Sequence, residues 1–544
     1  MGIPSYFRHL LQRYPHLLKD VDDKTRSNIL LVDFNCLIYG CAKSTKLPIY
    51  THESRKEWED ALLKEIRSYV IHLWTLAGKP EEVVLAVDGV VPMAKIRQQR
   101  LRRFKGSWLA GKELDLGARL PSREVWDTNC ITPGTEFMDR LERVLKDLAS
   151  TRARWVVSSA NEPGEGEQKL MQWIREKDPK DLVNKHIIVY GLDADLILLC
   201  VMHAGPDSTW SILREKQEFI KSPLAIASNR PPCLLLSIRG LTEVMFPDVS
   251  HRSAHIRDYI AGMSLLGNDF IPHNAGIHIR DAGHDRLLAA LGAVHSGGQT
   301  LLYEDEADGT WKWNRAALLL ILGEWAATEK EDIEHTFQKK YKMRPQPPRS
   351  HAEQCMAPLE NLPIELAEEA RIWSRSTGLL SLLWKSGYYM EKRERCLTAT
   401  EIRERCVEYL RGLQWNIDYY TGQRSVSHEW MYPWTYAPLW SDLYATVASM
   451  ETGLPTLVTM VDELPLQPQE QLSLVLPLES WWLIRDSRLK SVPTEIPHFW
   501  PASFGFSTLG KRWLWECPAE IPILVPKRLR LVTNQRAVAQ RVEE

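Results

Sequence analysis

Four times in the first two hundred residues, an uninterrupted apolar run stops at acidic residues. Ile29-Leu30-Leu31-Val32 ends at Asp33, and Val83 to Val87 ends at Asp88. Trp155-Val156-Val157 leads into NEPGEGEQKLMQWI at 161–174, which carries Glu162, Glu165 and Glu167. Ile187 to Tyr190 leads into Gly191-Leu192-Asp193-Ala194-Asp195. Short continuous apolar runs read as strands buried on both faces. Helical patterns separate them: Glu57 to Ala77 with an apolar face, the basic stretch Lys95 to Lys105, and Phe137 to Leu148. The alternation predicts an α/β fold with a mostly parallel sheet flanked by helices. Ligands of such sheets sit outside the carboxyl ends of the strands, so the acids should converge at one edge. One Asp after a strand is ordinarily a helix cap. Four acid sites on one edge exceed what packing requires.

Crowded carboxylates repel one another and need cations to be tolerable. Oxygen-only donors suit Mg²⁺, and two such ions roughly 3.5–4 Å apart form a clamp for in-line phosphodiester hydrolysis. In an ideal helix Glu165 and Glu167 would diverge by about 200°, so they serve different ions or occupy a non-helical turn. A second group of residues answers to phosphate. In PMAKIRQQRLRRFK at 92–105, Lys95, Gln99, Arg102 and Arg103 share one helical face, whereas Arg97 and Arg100 point elsewhere. Cations and an amide donor on one face suit a phosphate group; the competing reading is a solvated basic helix. Tyr39 and the cluster Trp430, Tyr432, Trp434 and Tyr436 are open to two readings, core packing or stacking on unpaired bases.

The rest of the chain constrains less. Arg257 to Leu266 reads as an apolar helix ended by Gly267, with Asn268-Asp269 next. The glycines at 283, 292, 297 and 298 predict a loosened stretch over 281–300. Trp313 to Lys340 reads as one helix, 343–362 as a proline-rich linker or exposed insertion, and 364–375 and 399–413 as helices. The net charge of −2 gives no global basic field, so any nucleic-acid site is a local patch. Nine cysteines without a CxxC exclude the usual zinc-ribbon spacing and favour a reducing compartment. No apolar run reaches membrane-spanning length. KRLR at 527–530 is too short for a nuclear signal, so a cytoplasmic location is expected.

The motifs together resemble the Xrn family of processive 5′→3′ exoribonucleases. The matching stretches are MGIPSYFRHLLQRYP at 1–15, LLVDFNCLIY at 30–39, DGVVPMAKIRQQRLRRF at 88–104, ITPGTEFM at 131–138, EPGEGEQKLMQWIR at 162–175, YGLDADLILL at 190–199 and LLGNDFIPH at 265–273. Further on come WKSGYYMEK at 384–392, YLRGLQWNIDYYTG at 409–422, WMYPWTYAP at 430–438 and GKRWLWECPAEIPILVPKRL at 510–529. The resemblance implies a PIN/FEN-like nuclease core over 1–290, a helical segment and proline-rich linker over 291–395, and a helical, aromatic-rich second region with a C-terminal extension over 396–544. It implies two Mg²⁺ ions, with Mn²⁺ as a substitute, held by Asp33, Asp88, Glu165, Glu167, Asp193, Asp195 and Asp269. It also implies a monomeric enzyme that degrades single-stranded, 5′-monophosphorylated RNA from decapped messages to mononucleotides. The 5′-phosphate pocket would be Lys95, Gln99, Arg102 and Arg103, and the terminal bases would stack between Tyr39 and Trp430. Two departures stand out. Tyr39 replaces the usual histidine, and Cys36 occupies the place of a glycine. The competing functions are a structure-specific DNA flap nuclease and a catalytically dead RNA-binding scaffold.

Overall fold

A computed structural model describes residues 3, 5–216, 232–344, 347–360, 368–391, 395–451, 453–455 and 463–543. Its centre is a seven-stranded sheet of β1 (Leu18–Asp20), β2 (Ile29–Asp33), β3 (Glu82–Ala86), β4 (Trp155–Ser158), β5 (His186–Tyr190), β6 (Thr209–Glu215) and β7 (Cys233–Ser237). The spatial order is β1-β7-β6-β5-β2-β3-β4. β4, β3, β2, β5 and β6 run parallel; β7 and β1 close one edge antiparallel. The chain proceeds from β2 outward through β3 and β4, then returns to lay β5 on the other side of β2. That reversal opens a crevice at the carboxyl ends of β2 and β5, where Asp33 and the Asp193/Asp195 pair stand.

The apolar runs are continuous because both faces of the sheet are buried. Ile29 and Leu31 of β2 join one apolar cluster, while Leu30 and Val32 join the other; β5 divides its Ile187/Val189 and Ile188/Tyr190 pairs the same way. Residues far along the chain complete both clusters. The long helix Ala399–Thr421 supplies Cys406, Leu410, Leu413 and Trp415 to the first, and Leu472, Val475, Leu483, Trp500 and Leu524 enter the second.

Several expectations need correction. The glycine-marked stretch 281–300 is mostly helix, Gly283–Ser296. Gly292 faces open space, where a missing side chain costs the helix no packing. The single helix expected over 313–340 is two, Arg315–Ala327 and Glu329–Lys342, divided at Thr328. Within 343–362, His351–Glu360 is helical. Of the helix expected over 364–375, residues 364–367 lie outside the described residues. Glu369–Arg371 is a single tight turn, and Trp373-Ser374 pairs as a short strand with Leu379-Leu380. β6 and β7 were missed, because no acid cluster marks their ends. Among the described residues, no helix is long and apolar enough to cross a membrane.

Candidate active site

The opening acids meet as the strand ends require. Asp33 is the last residue of β2, Asp88 follows β3, Glu165 ends the loop after β4, and Asp193 and Asp195 follow β5. Glu165 is extended (φ −69°, ψ 148°) and caps the helix Gly166–Arg175, whereas Glu167 lies in its first turn. The two carboxylates are therefore not on opposite sides of one helix. Gly166 allows this close approach. A Cβ there would come within 2.8 Å of both the Ala86 carbonyl and Asp33 Oδ1. Its N–H donates to Asp88 Oδ1 at 2.7 Å, and Asn35 Nδ2 donates to Asp88 Oδ2 at 2.7 Å, so Asp88 is held through both oxygens. Glu162 is exposed and accepts from the Ser158 hydroxyl, outside the site.

A cavity of about 140 Å³ opens at this edge, room for on the order of ten waters. Asp33, Asp88, Glu165, Glu167, Asp193 and Asp269 line it. Asp195, 1% exposed, lies behind them. The facing wall is the basic helix Met93–Asp115, which presents Lys95, Gln99, Arg102 and Arg103; Asn35, Cys36, Tyr39, Ile131 and Pro133 complete the lining.

Electrostatics here are dominated by burial of like charges. Burial, reinforced by Asp88, Asp193 and Asp195, holds Asp33 well above the usual carboxylate range. Burial, with Asp195 and Glu165, does the same for Glu167. Burial and the charge of Asp193 push Asp195 up to about 7. Lys95 offers the opposing charge. Its ammonium pairs with Glu165 Oε2 at 2.5 Å and Asp269 Oδ2 at 3.0 Å. Burial alone would lower its pKa, but these carboxylates hold it well above the ordinary lysine value. The seven carboxylates outnumber the cations that face them, so the site is short of positive charge. Glu167 Oε2 and Asp195 Oδ1 are buried with no hydrogen-bond partner. Orphaned oxygens in an oxygen-only donor set fit hard divalent cations such as Mg²⁺. The carboxylates ring the cavity instead of closing into one knot. Among the described residues, the one trio of His, Cys, Asp or Glu with ligand atoms within 4.8 Å lies elsewhere.

On the basic helix, Gln99 Oε1 and Arg103 Nε are buried and unpartnered, while Arg102 is exposed at the cavity. Burial lowers the Arg103 pKa, and its Nη1 donates to Asn129 Oδ1 at 2.5 Å. The other face of this helix is bolted to the distant C-terminal segment. Arg100, with no exposed surface, donates to the carbonyls of Pro522 (3.1 Å), Leu474 (2.7 Å) and Phe499. Lys105 donates to those of Trp515 (2.7 Å) and Cys517 (2.8 Å).

Of the two aromatics expected to stack, the structure brings only Tyr39 to the cavity. Trp430 is 8% exposed and packs against Trp415, ring centroids 5.4 Å apart, with its Nε1–H directed at Glu408. It is not among the lining residues. Reading the sequence missed Asn35 and the pair Tyr419-Tyr420. The Tyr419 hydroxyl donates to Glu165 Oε1 at 2.5 Å. The Tyr420 hydroxyl is buried without a partner, and the charges of Asp195, Glu167 and Asp269 bear on it. The signal was the YY doublet near the end of a long helix, which by itself is indistinguishable from core.

The site thus draws on both ends of the chain, and so does similarity to known proteins. A sequence profile described as XRN 5′-3′ exonuclease N-terminus matches residues 1–216, and one described as Xrn1 helical domain matches 330–544. The chain belongs to the Xrn family. Six of the seven acids lie in the first matched region, Tyr419 lies in the second, and Asp269 lies between them. Human 5′-3′ exoribonuclease 1 is 29% identical over 97% of this chain, which covers 34% of that protein. Gallus gallus 5′-3′ exoribonuclease 2 is 26% identical over 98% of this chain, covering 70% of that relative. Schizosaccharomyces pombe 5′-3′ exoribonuclease 1 is 26% identical over 97%, covering 48%. The chain therefore spans between about a third and seven tenths of the length of these Xrn relatives.

Proposed function

We propose that this chain is a divalent-metal-dependent 5′→3′ exoribonuclease that hydrolyses single-stranded, 5′-monophosphorylated RNA to mononucleotides, in turnover of decapped messages in the cytoplasm. The observation that carries this reading is one cavity with carboxylates on one wall and Lys95, Gln99, Arg102 and Arg103 on the other. Asp33, Asp88, Glu165, Glu167, Asp193, Asp195 and Asp269 would hold two Mg²⁺ ions, which supply an activated water and charge stabilisation at the leaving oxygen. Arg102, with Gln99 and Arg103, would bind the terminal phosphate and so fix which phosphodiester lies against the carboxylates. Because carbonyls of the C-terminal segment seal the far side of the basic helix, the strand would enter by its end. A small phosphate site would reject capped and triphosphate ends. The exoribonuclease names of the relatives support RNA as the substrate.

The test is digestion of one RNA bearing a 5′-monophosphate, a 5′-hydroxyl or a cap, in Mg²⁺ and in chelator. Mononucleotide release is expected from the monophosphate end alone, lost with chelator and with Asp193→Ala. RNA retained intact in Mg²⁺ would point to a binding scaffold. Preferential cutting of a DNA flap would replace the substrate assignment.

A further inference from the structure

Away from the cavity, the helix Tyr6–Arg13 meets the helix Gly283–Ser296. His9 of the first helix faces His284 and Asp285 of the second. One ligand atom of each lies within 4.8 Å of the others. The two imidazoles are in edge contact, with centroids 4.7 Å apart.

The hydrogen bonds around His284 decide which nitrogen is available. Tyr259 donates its hydroxyl proton to Tyr6 Oη at 2.8 Å. The Tyr259 oxygen can then only accept, and His284 Nε2 lies 2.7 Å from it. His284 therefore carries its proton on Nε2, which leaves a bare lone pair on Nδ1. That Nδ1 is buried with no hydrogen-bond partner, and so is Nε2 of His9. Two orphaned imidazole nitrogens facing a carboxylate, with one ring oriented from behind by a tyrosine pair, have the anatomy of a metal site with its supporting shell. Burial also holds both rings below the ordinary histidine range, His284 down to about 3, so both are in the neutral, ligating form at neutral pH.

We infer that His9, His284 and Asp285 bind a transition-metal cation of the zinc type, tying the N-terminal helix to Gly283–Ser296. Nitrogen donors distinguish this site from the carboxylate cavity. Imidazole suits zinc and its neighbours, whereas magnesium prefers oxygen. Three protein ligands leave a fourth position for water. Asp285 is half-exposed, so solvent reaches that side. One Asp285 oxygen accepts from Arg13, leaving Oδ2 for the ion. A shell with Zn–N near 2.0–2.1 Å needs the three atoms to close by about 1 Å, a movement open to the partly exposed His9 and Asp285.

The test uses the full chain, stripped with chelator and then held in excess Mg²⁺ to occupy oxygen sites. Zinc chloride is added, the protein desalted, and zinc per chain measured by mass spectrometry; Co²⁺ is added in parallel and its visible spectrum recorded. One equivalent of zinc and a tetrahedral-type Co²⁺ band are expected. His9→Gln and Asp285→Asn, checked for folding by circular dichroism, should each weaken zinc binding by at least ~10-fold, while Asp193→Asn leaves it unchanged. His284→Gln is less useful, since its burial makes misfolding a competing cause. Folded wild-type protein that retains no zinc would overturn the proposal. So would zinc that survives both His9→Gln and Asp285→Asn but is lost in Asp193→Asn.

Discussion

At the scale of single residues, the fold opposes the ionisation of four of the site's acids, Asp33, Glu165, Glu167 and Asp195. Asp195 shows the consequence. In the unfolded chain it loses its proton near pH ~3.9, but in the metal-free folded protein it keeps it to about 7. Between those values the folded state binds the extra proton, so the stability Asp195 contributes falls as pH rises through the window. Replacing it by Asn, which carries no charge, should relieve this. In chelator, Asp195→Asn should gain stability over the parent between pH 5 and pH 8 in urea unfolding. A pH-independent difference would contradict the assignment. Tyr419 acts on a neighbouring acid. Its hydroxyl fixes Glu165 Oε1 at 2.5 Å, and a hydrogen bond to a charged group contributes about 1.5–3 kcal/mol. Tyr419→Phe should leave the fold intact and raise the Mg²⁺ concentration for half-maximal nuclease activity by about tenfold or more. An unchanged Mg²⁺ dependence would remove Tyr419 from the site. Neither tyrosine was legible as functional in the sequence, because a Tyr on a buried helix face is ordinarily core.

At the scale of elements, the basic helix Met93–Asp115 is the informative one. Its helical spacing already separated Lys95, Gln99, Arg102 and Arg103 from Arg97 and Arg100, and the structure divides them the same way. What spacing could not say is what the second face does. Arg100 is buried against three carbonyls from residues 474, 499 and 522. Burial lowers its pKa to about 9, which still leaves it charged at neutral pH. Arg100→Met removes all three hydrogen bonds and strands buried acceptors, each costing about 1–3 kcal/mol. A loss of about 3 kcal/mol or more is expected in urea unfolding, with activity on 5′-monophosphate RNA falling because the cavity-facing side loses its support. A change under about 1 kcal/mol would show that the helix does not depend on this anchor. The glycine-rich stretch 281–300 is the opposite lesson. Glycine lowers helix propensity by about 1 kcal/mol, but packing of Leu287, Leu291 and Val294 into the first apolar cluster outweighs it.

At the scale of the whole molecule, both faces of the sheet are covered in part by residues far downstream of it, from Cys406 onward. A fragment ending at residue 300 would expose the surfaces that Trp415, Leu472, Val475 and Trp500 cover. It should give no cooperative thermal transition and should elute as aggregate in gel filtration. A monomeric, cooperatively melting fragment would mean that the sheet and its local helices suffice. By itself, the sequence determined the parallel sheet, the edge where the acids gather and the cavity-facing stripe of the basic helix. Those depend on period and on strand direction, which are local properties of the chain. Only the tertiary structure decided that Lys95 lies between Glu165 and Asp269, that Trp430 packs beside Trp415 rather than at the cavity, and that Tyr419 joins Glu165. The contacts of Lys95 with Glu165 and Asp269, and of Tyr419 with Glu165, join residues far apart in sequence. Such contacts follow from how buried faces fit together, and no local pattern of residues encodes that fit.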